Sequence, residues 1–176
     1  MKFDIDTKID LNKERLKYDY ENLRNLQNSY GYIVVYLSFI GLTFFDFIKH
    51  LKTIDYCNFD YMNLIFIISL LVSLVFIFYA IFQFLKLFIP RKVAHDKLPN
   101  YIYNTMYNKV STWAKKNNKN PEEEAKLAYL ELLEKAVEIN FKLYINKRLL
   151  LYKTIKFALI SLIPYFVSMI LFNLIK

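Results

Sequence analysis

The sequence predicts an all-α integral membrane protein with three transmembrane helices and cytoplasmic helical extensions. Three windows of 19 to 22 residues carry almost no charge. At a rise of about 1.5 Å per residue, each is long enough for a helix to cross a hydrocarbon core about 30 Å thick. Only 2 glycines and 4 prolines occur in 176 residues, which argues against turn-rich β folds. A helix also satisfies its own backbone hydrogen bonds in lipid, whereas an isolated strand does not.

Residues 1–29 are predicted to form an amphipathic cytoplasmic helix. They carry six Lys or Arg and six Asp or Glu, so their charges balance. Apolar side chains recur at heptad spacing and mark one face of this helix. An apolar face of this size in the cytosol predicts an interface, and we expect it to contribute to a homo-oligomer of at least four chains. The stripe consists of Ile9, Leu16, Leu23 and Tyr30, with Tyr20 and Leu26 beside it.

Residues 30–89 are predicted to form a hairpin of two transmembrane helices. The first window, Tyr30–Ile48, contains Asp46 as its only charge, and the second, Leu64–Leu85, contains none. We expect Asp46 to make a local pair with Lys49 or His50, three and four residues further on, rather than to act as a functional carboxylate inside the membrane.

The remaining chain is predicted to be a cytoplasmic loop with one short helix, residues 90–119, followed by one long helix, residues 120–176. Asn120-Pro121 followed by three glutamates is a strong helix start, because Asn caps free amides and carboxylates favour the positive end of the helix dipole. Pro164 predicts a kink. The charge-free window Phe157–Ile175 is predicted to be the third span, with partial residence in the membrane interface as the alternative.

The distribution of basic residues predicts the orientation. Residues 86–156 carry fifteen Lys or Arg against seven Asp or Glu, whereas the loop at residues 49–62 carries only two lysines. Basic residues are enriched on the cytoplasmic side of membrane proteins. We therefore expect a bacterial inner (plasma) membrane protein with a cytoplasmic N-terminus, and Cys57 on the outside.

No catalytic constellation is recognisable, so we do not expect an enzyme or a cofactor. There is no phosphate-binding glycine loop, and no Cys or His cluster has metal-ligand spacing. Arg91-x-x-x-His95 is one residue short of the Arg-x(4–6)-His signature of HEPN ribonucleases, and Arg91 at a membrane exit is accounted for as an anchor.

Polar residues inside the spans are the first candidate site. Ser69, Ser73 and Gln83 share one helical face of the second span, and Ser161 and Ser168 share a face of the third. Two interpretations stay open. Small hydroxyl residues allow helices to pack closely, and the same face could line a water-filled path between subunits.

Asn140, Asn146 and Arg148 are the second candidate site, because they interrupt the apolar stripe just before the third span. An Asn on such a stripe can fix the register of associating helices, so we predict a role in oligomer register. A solvated helix face is the alternative.

The pattern Ala136-x-x-x-Asn140-x-x-x-x-x-Asn146-x-Arg148, followed by Leu151-Tyr152 and an apolar run, resembles the membrane-entry helix of small multi-span effectors. These effectors belong to bacterial antiviral defence islands of the CBASS, Pycsar and CRISPR-associated types. The resemblance covers about 40 residues and includes no recognisable nucleotide-sensing domain. It implies an oligomeric inner-membrane effector that permeabilises or depolarises the membrane.

The predicted partners follow from this hypothesis. They are the lipid bilayer, further copies of the chain, and a protein or nucleotide trigger at the cytoplasmic region; no double-stranded DNA is expected. The alternative function is a non-pore membrane interaction protein of the immunity or superinfection-exclusion type. A polar face that is filled by packing in a closed bundle would favour this alternative.

Overall fold

The computed structural model describes residues 4–51, 60–95 and 101–175, and every regular element among these residues is helical. Cys57 lies outside the described residues. The elements are α1 (Ile5–Asn28), α2 (Tyr30–Leu51), α3 (Tyr61–Leu87), a π-helical segment (Tyr101–Tyr107), α4 (Asn108–Lys116) and α5 (Pro121–Ile175).

Local sequence signals account for the helix starts. The Asn120 side-chain oxygen accepts a hydrogen bond from the Glu122 amide at 3.1 Å, and α5 begins at Pro121 as predicted. An Asp60 carboxylate oxygen likewise accepts from the Tyr61 amide at 2.7 Å and caps α3. These side chains satisfy amides that have no partner in the first helical turn.

Three helical stretches among the described residues are long and apolar enough to cross a membrane: Ile5–Leu51, Tyr61–Leu87 and Pro121–Leu174. The all-helical fold and the three candidate spans are thus confirmed, whereas insertion into a membrane stays a prediction. The first stretch contains both α1 and α2, with a turn at Ser29 between them. The second helix therefore begins at Tyr30, where the first apolar window begins.

The chain divides into two compact units. The first unit contains residues 1–26 and 91–146, and the second contains residues 27–90 and 147–176. Each unit therefore combines segments that are far apart in the sequence.

In the first unit, α1 packs against the beginning of α5. Lys126 Nζ lies 2.9 Å from the Asp6 carboxylate, and the Arg15 guanidinium carbon lies 5.7 Å from the centre of the Phe141 ring. Residues later in α1 thus contact residues later in α5, so the two segments run in the same direction. The core of this unit is formed by Ile9, Leu16, Leu130, Leu133, Ala136 and Val137.

The homo-oligomer stays a prediction, whereas part of the apolar face of α1 is covered within the chain. Ile9, Leu16 and Leu23 are buried as the heptad pattern predicts, but Ile9 and Leu16 are covered by α5 of the same chain. Tyr20, which was assigned to the edge of the stripe, is half exposed. The apolar face of α1 is therefore no evidence for a contact between copies.

In the second unit, buried side chains recur every seven residues along the three helices, as in helices that pack by interdigitating side chains. The period is clearest in α3, where Phe66, Ser73, Ala80 and Leu87 are at most 1% exposed. An aromatic-rich core joins the helices. It includes Ile40, Phe44, Phe47, Phe66, Leu70, Ile77 and Tyr165.

Candidate functional site

Four serines meet where α3 packs against α5, and we call them the hydroxyl seam: Ser69, Ser73, Ser161 and Ser168. The hydroxyl oxygens of Ser69 and Ser168 lie 2.8 Å apart. Ser73 donates to the Ser161 carbonyl oxygen at 3.1 Å, and Ser161 donates to the Ala158 carbonyl oxygen at 2.6 Å. All four side chains are buried. In a low-dielectric environment, these bonds satisfy hydroxyls that would otherwise be costly to bury.

The contacts of the hydroxyl seam are those that the packing interpretation of the polar face expects, and both interpretations stay predictions. α5 of the same chain occupies the face of α3 that was considered as the wall of a water-filled path between subunits. Gln83, the third α3 residue of the prediction, is also buried, with 5% of its surface exposed. A path along this face would require α3 and α5 to separate.

Sequence reasoning missed several polar partners beside the seam. Thr154 is fully buried and lies seven residues before Ser161, so it continues the period set by Ser161 and Ser168. Thr154 precedes the charge-free window Phe157–Ile175, so the polar residues counted within the third span do not include it. Tyr36 also donates to the Ala158 carbonyl oxygen at 2.9 Å, and Tyr165 donates to the Thr43 hydroxyl at 2.7 Å; these tie α2 to α5.

Asn140 makes a two-bond clamp in the first unit. Its side-chain nitrogen donates to the Ala94 carbonyl oxygen at 2.8 Å, and its side-chain oxygen accepts from the Ala94 amide at 2.8 Å. Its side chain is fully buried. These two bonds hold the segment that contains Ala94 against α5. Both of them are formed within one chain.

The predicted role of Asn140 in oligomer register stays a prediction, and the partner that its side chain bonds is Ala94 of the same chain. Asn146 and Arg148 are exposed, as the alternative of a solvated helix face predicts. The structure therefore does not join the three residues into one site.

A cleft of about 260 Å³ lies beside the clamp, and we call it the α1 cleft. Two lysines on consecutive turns of α1 contribute to it, and the Tyr20 ring lies 5.7 Å from the His95 ring, centre to centre. The lining residues are Lys13, Leu16, Lys17, Tyr20, Ala94, His95 and Asn140.

Asp19 is a buried carboxylate on the packed side of α1. It is 3% exposed, and one carboxylate oxygen has no hydrogen-bond partner among the described residues. Desolvation raises the pKa of this carboxyl group, and the nearby positive charge of Arg15 opposes the shift. From the sequence, the burial of Asp19 could have been expected only from its position between Leu16 and Leu23 of the apolar stripe.

Several other charged groups of the first unit form exposed ion pairs. Lys135 bonds Glu131 at 2.6 Å and Lys142 bonds Glu138 at 2.5 Å, and these bonds lower the pKa values of both glutamates. Such pairs contribute little to stability. No group of three metal-ligating side chains occurs within residues 4–51, 60–95 and 101–175.

At the end of α2, the Asp46 carboxylate lies 3.7 Å from Lys49 Nζ, and both side chains are exposed. The predicted local pair is confirmed.

No protein-family model matches the chain, and neither the curated proteins nor the solved structures give a match. The resemblance to effectors of antiviral defence islands therefore stays a hypothesis that rests on the sequence pattern alone.

Proposed function

We propose that the protein is a membrane-anchored interaction protein rather than a constitutive pore. The observation that carries this proposal is the hydroxyl seam, in which the polar face of α3 is filled by α5 of the same chain. Nearly half of the chain forms a separate unit with its own core, which is far more than an anchor requires. In this function, the second unit holds the protein in the bilayer and the first unit makes the recognition contacts in the cytosol.

A second candidate is the membrane effector, in which a trigger separates α3 from α5 and opens a conducting path between several copies. The hydroxyl seam also supports this candidate, because four serines on two helices would supply hydration to an ion once exposed. The two candidates differ in one property. The interaction protein keeps the seam closed while it works, whereas the effector opens it.

Membrane potential in bacterial cells that express the chain separates the candidates when the trigger is present in those cells. For the interaction protein, we expect no depolarisation by the natural chain. We also expect no change when Ser69, Ser73 and Gln83 are all replaced by Ala. Depolarisation by the natural chain that the triple variant abolishes, with the variant equally abundant in the membrane, would overturn the proposal in favour of the effector.

A further inference from the structure

The α1 cleft is positively charged and has the volume of a small ligand site. Its 260 Å³ lies just below the range of about 300–1,000 Å³ that is typical of small-molecule pockets. Lys13 and Lys17 line it together with the imidazole of His95. We propose that this cleft binds a small phosphate ester. This inference goes beyond the proposed function and is independent of whether the second unit conducts ions.

Neither lysine charge is neutralised by a carboxylate in the described part of the chain; Lys13 Nζ lies 5.5 Å from the centre of the Tyr129 ring, a contact that leaves its charge in place. Among the described residues, no carboxylate lies within 4.0 Å of the Lys13 or Lys17 ammonium group, although Glu14 and Glu21 are close to them in sequence. By contrast, Lys126 and Lys135 each bond a carboxylate at less than 3 Å. Ammonium groups are compact point charges that suit phosphate, and two of them one helical turn apart match a dianion.

The walls of the cleft favour an organic phosphate over a bare anion. The Tyr20 and His95 rings are inclined at 58° to each other, and Leu16 and Ala94 add apolar surface. A carbon-containing group could therefore pack on the rings while the phosphate faces the lysines. The positive charges of the two lining lysines also disfavour a metal cation.

The Asn140 clamp keeps this site in place. It holds the Ala94 backbone through both its amide and its carbonyl group, so the wall that carries Ala94 and His95 is fixed before a ligand binds. Preorganisation of this kind reduces the entropy lost on binding.

The phosphate could belong to a soluble ester or to a lipid headgroup, since the chemistry is the same. The test therefore uses the full chain in two settings. Isothermal titration calorimetry in detergent measures binding of adenosine monophosphate, with adenosine as the control that lacks phosphate. Thermal stability in nanodiscs of phosphatidylcholine, with and without phosphatidic acid, measures the effect of a lipid phosphate.

Two double variants with the same loss of charge give the comparison. Lys13→Gln/Lys17→Gln changes the cleft, whereas Lys8→Gln/Lys109→Gln removes two exposed lysines elsewhere in the first unit. We expect the natural chain and the control pair to bind the nucleotide or to be stabilised by phosphatidic acid. We expect the cleft pair to lose about tenfold in affinity, or the stabilisation, since charge-assisted bonds are lost.

Each outcome either supports or overturns the proposed phosphate-ester site. Nucleotide binding without adenosine binding, weakened only in the cleft pair, supports the site with a soluble ligand. Stabilisation by phosphatidic acid alone, lost only in the cleft pair, supports it with a lipid. Equal responses of the two pairs, or no response of the natural chain to either probe, would overturn the proposal. If the cleft pair does not fold, the single exposed change Lys17→Gln takes its place.

Discussion

Replacing Asn140 should destabilise the first unit strongly, because its side chain makes two hydrogen bonds from a fully buried position. Both bonds to Ala94 measure 2.8 Å. A typical hydrogen bond contributes about 0.5–1.5 kcal/mol net, so two contribute about 2 kcal/mol. We expect Asn140→Ala to lower the free energy of unfolding by about this amount. Asn140→Asp should be similarly destabilising at neutral pH, because a carboxylate cannot donate to the Ala94 carbonyl and becomes a buried charge.

The assay is denaturant unfolding of the full chain in detergent, followed by fluorescence of Trp113. This is the only tryptophan of the chain and lies in α4 of the first unit. Asn146→Ala is the matched control, since Asn146 is an exposed asparagine of the same helix. Its effect should stay within about 0.5 kcal/mol. Equal stability of the Asn140→Ala and Asn146→Ala variants would refute the clamp.

Two further changes test burial in each unit. Ser73→Leu should lower the stability of the second unit by about 1–3 kcal/mol, because Ser73 is fully buried and added volume strains a packed core; Leu71→Phe, at an exposed position, should be nearly neutral in the same thermal unfolding experiment. Asp19→Asn should stabilise the chain by about 1 kcal/mol at neutral pH, because it removes a buried carboxylate with an unsatisfied oxygen. Burial raises the folded-state pKa of Asp19, so the folded chain binds this proton more readily than the unfolded chain. The gain in stability of the variant should therefore shrink as pH falls through the raised pKa, and it should vanish below the ordinary value of 3.8. A gain that persists unchanged at low pH would contradict the burial of an ionised Asp19.

Much of the fold could be predicted from the sequence, because long apolar windows and helix caps are local signals. The start of α5 at Pro121 and the start of α2 at Tyr30 both follow from residues within one turn. The partners of each face could not be predicted. The apolar stripe that contains Leu16 has the same sequence pattern whether it is covered by α5 of the same chain or by another copy.

The polar residues show the same limit. Asn140 was singled out because an amide on an apolar stripe needs a partner, but nothing local to it indicates Ala94, 46 residues earlier in the chain. The serines of the two spans were recognised, whereas their pairing across α3 and α5 depends on tertiary packing. Lys13 and Lys17 looked like part of a balanced, solvated helix, and only the position of His95 relative to them reveals a cleft.

A designed disulfide tests whether the hydroxyl seam is closed within one chain. The Ser69 and Ser168 oxygens lie 2.8 Å apart, so cysteine sulfurs at these two positions would lie near enough for a small shift to bring them to the disulfide bond length of about 2.05 Å. In a Cys57→Ser background, Ser69→Cys/Ser168→Cys should form an intrachain disulfide in native membranes under mild oxidation. The pair Leu71→Cys/Ser168→Cys, with residue 71 exposed, should not form an intrachain bond.

The products are distinguished on denaturing gels after free thiols are labelled with a heavy maleimide. For the seam pair we expect an unlabelled monomer after oxidation, and a doubly labelled monomer when the sample is reduced before labelling. Covalent dimers from the seam pair, or thiols that stay free under oxidation, would contradict a seam that is closed within the chain.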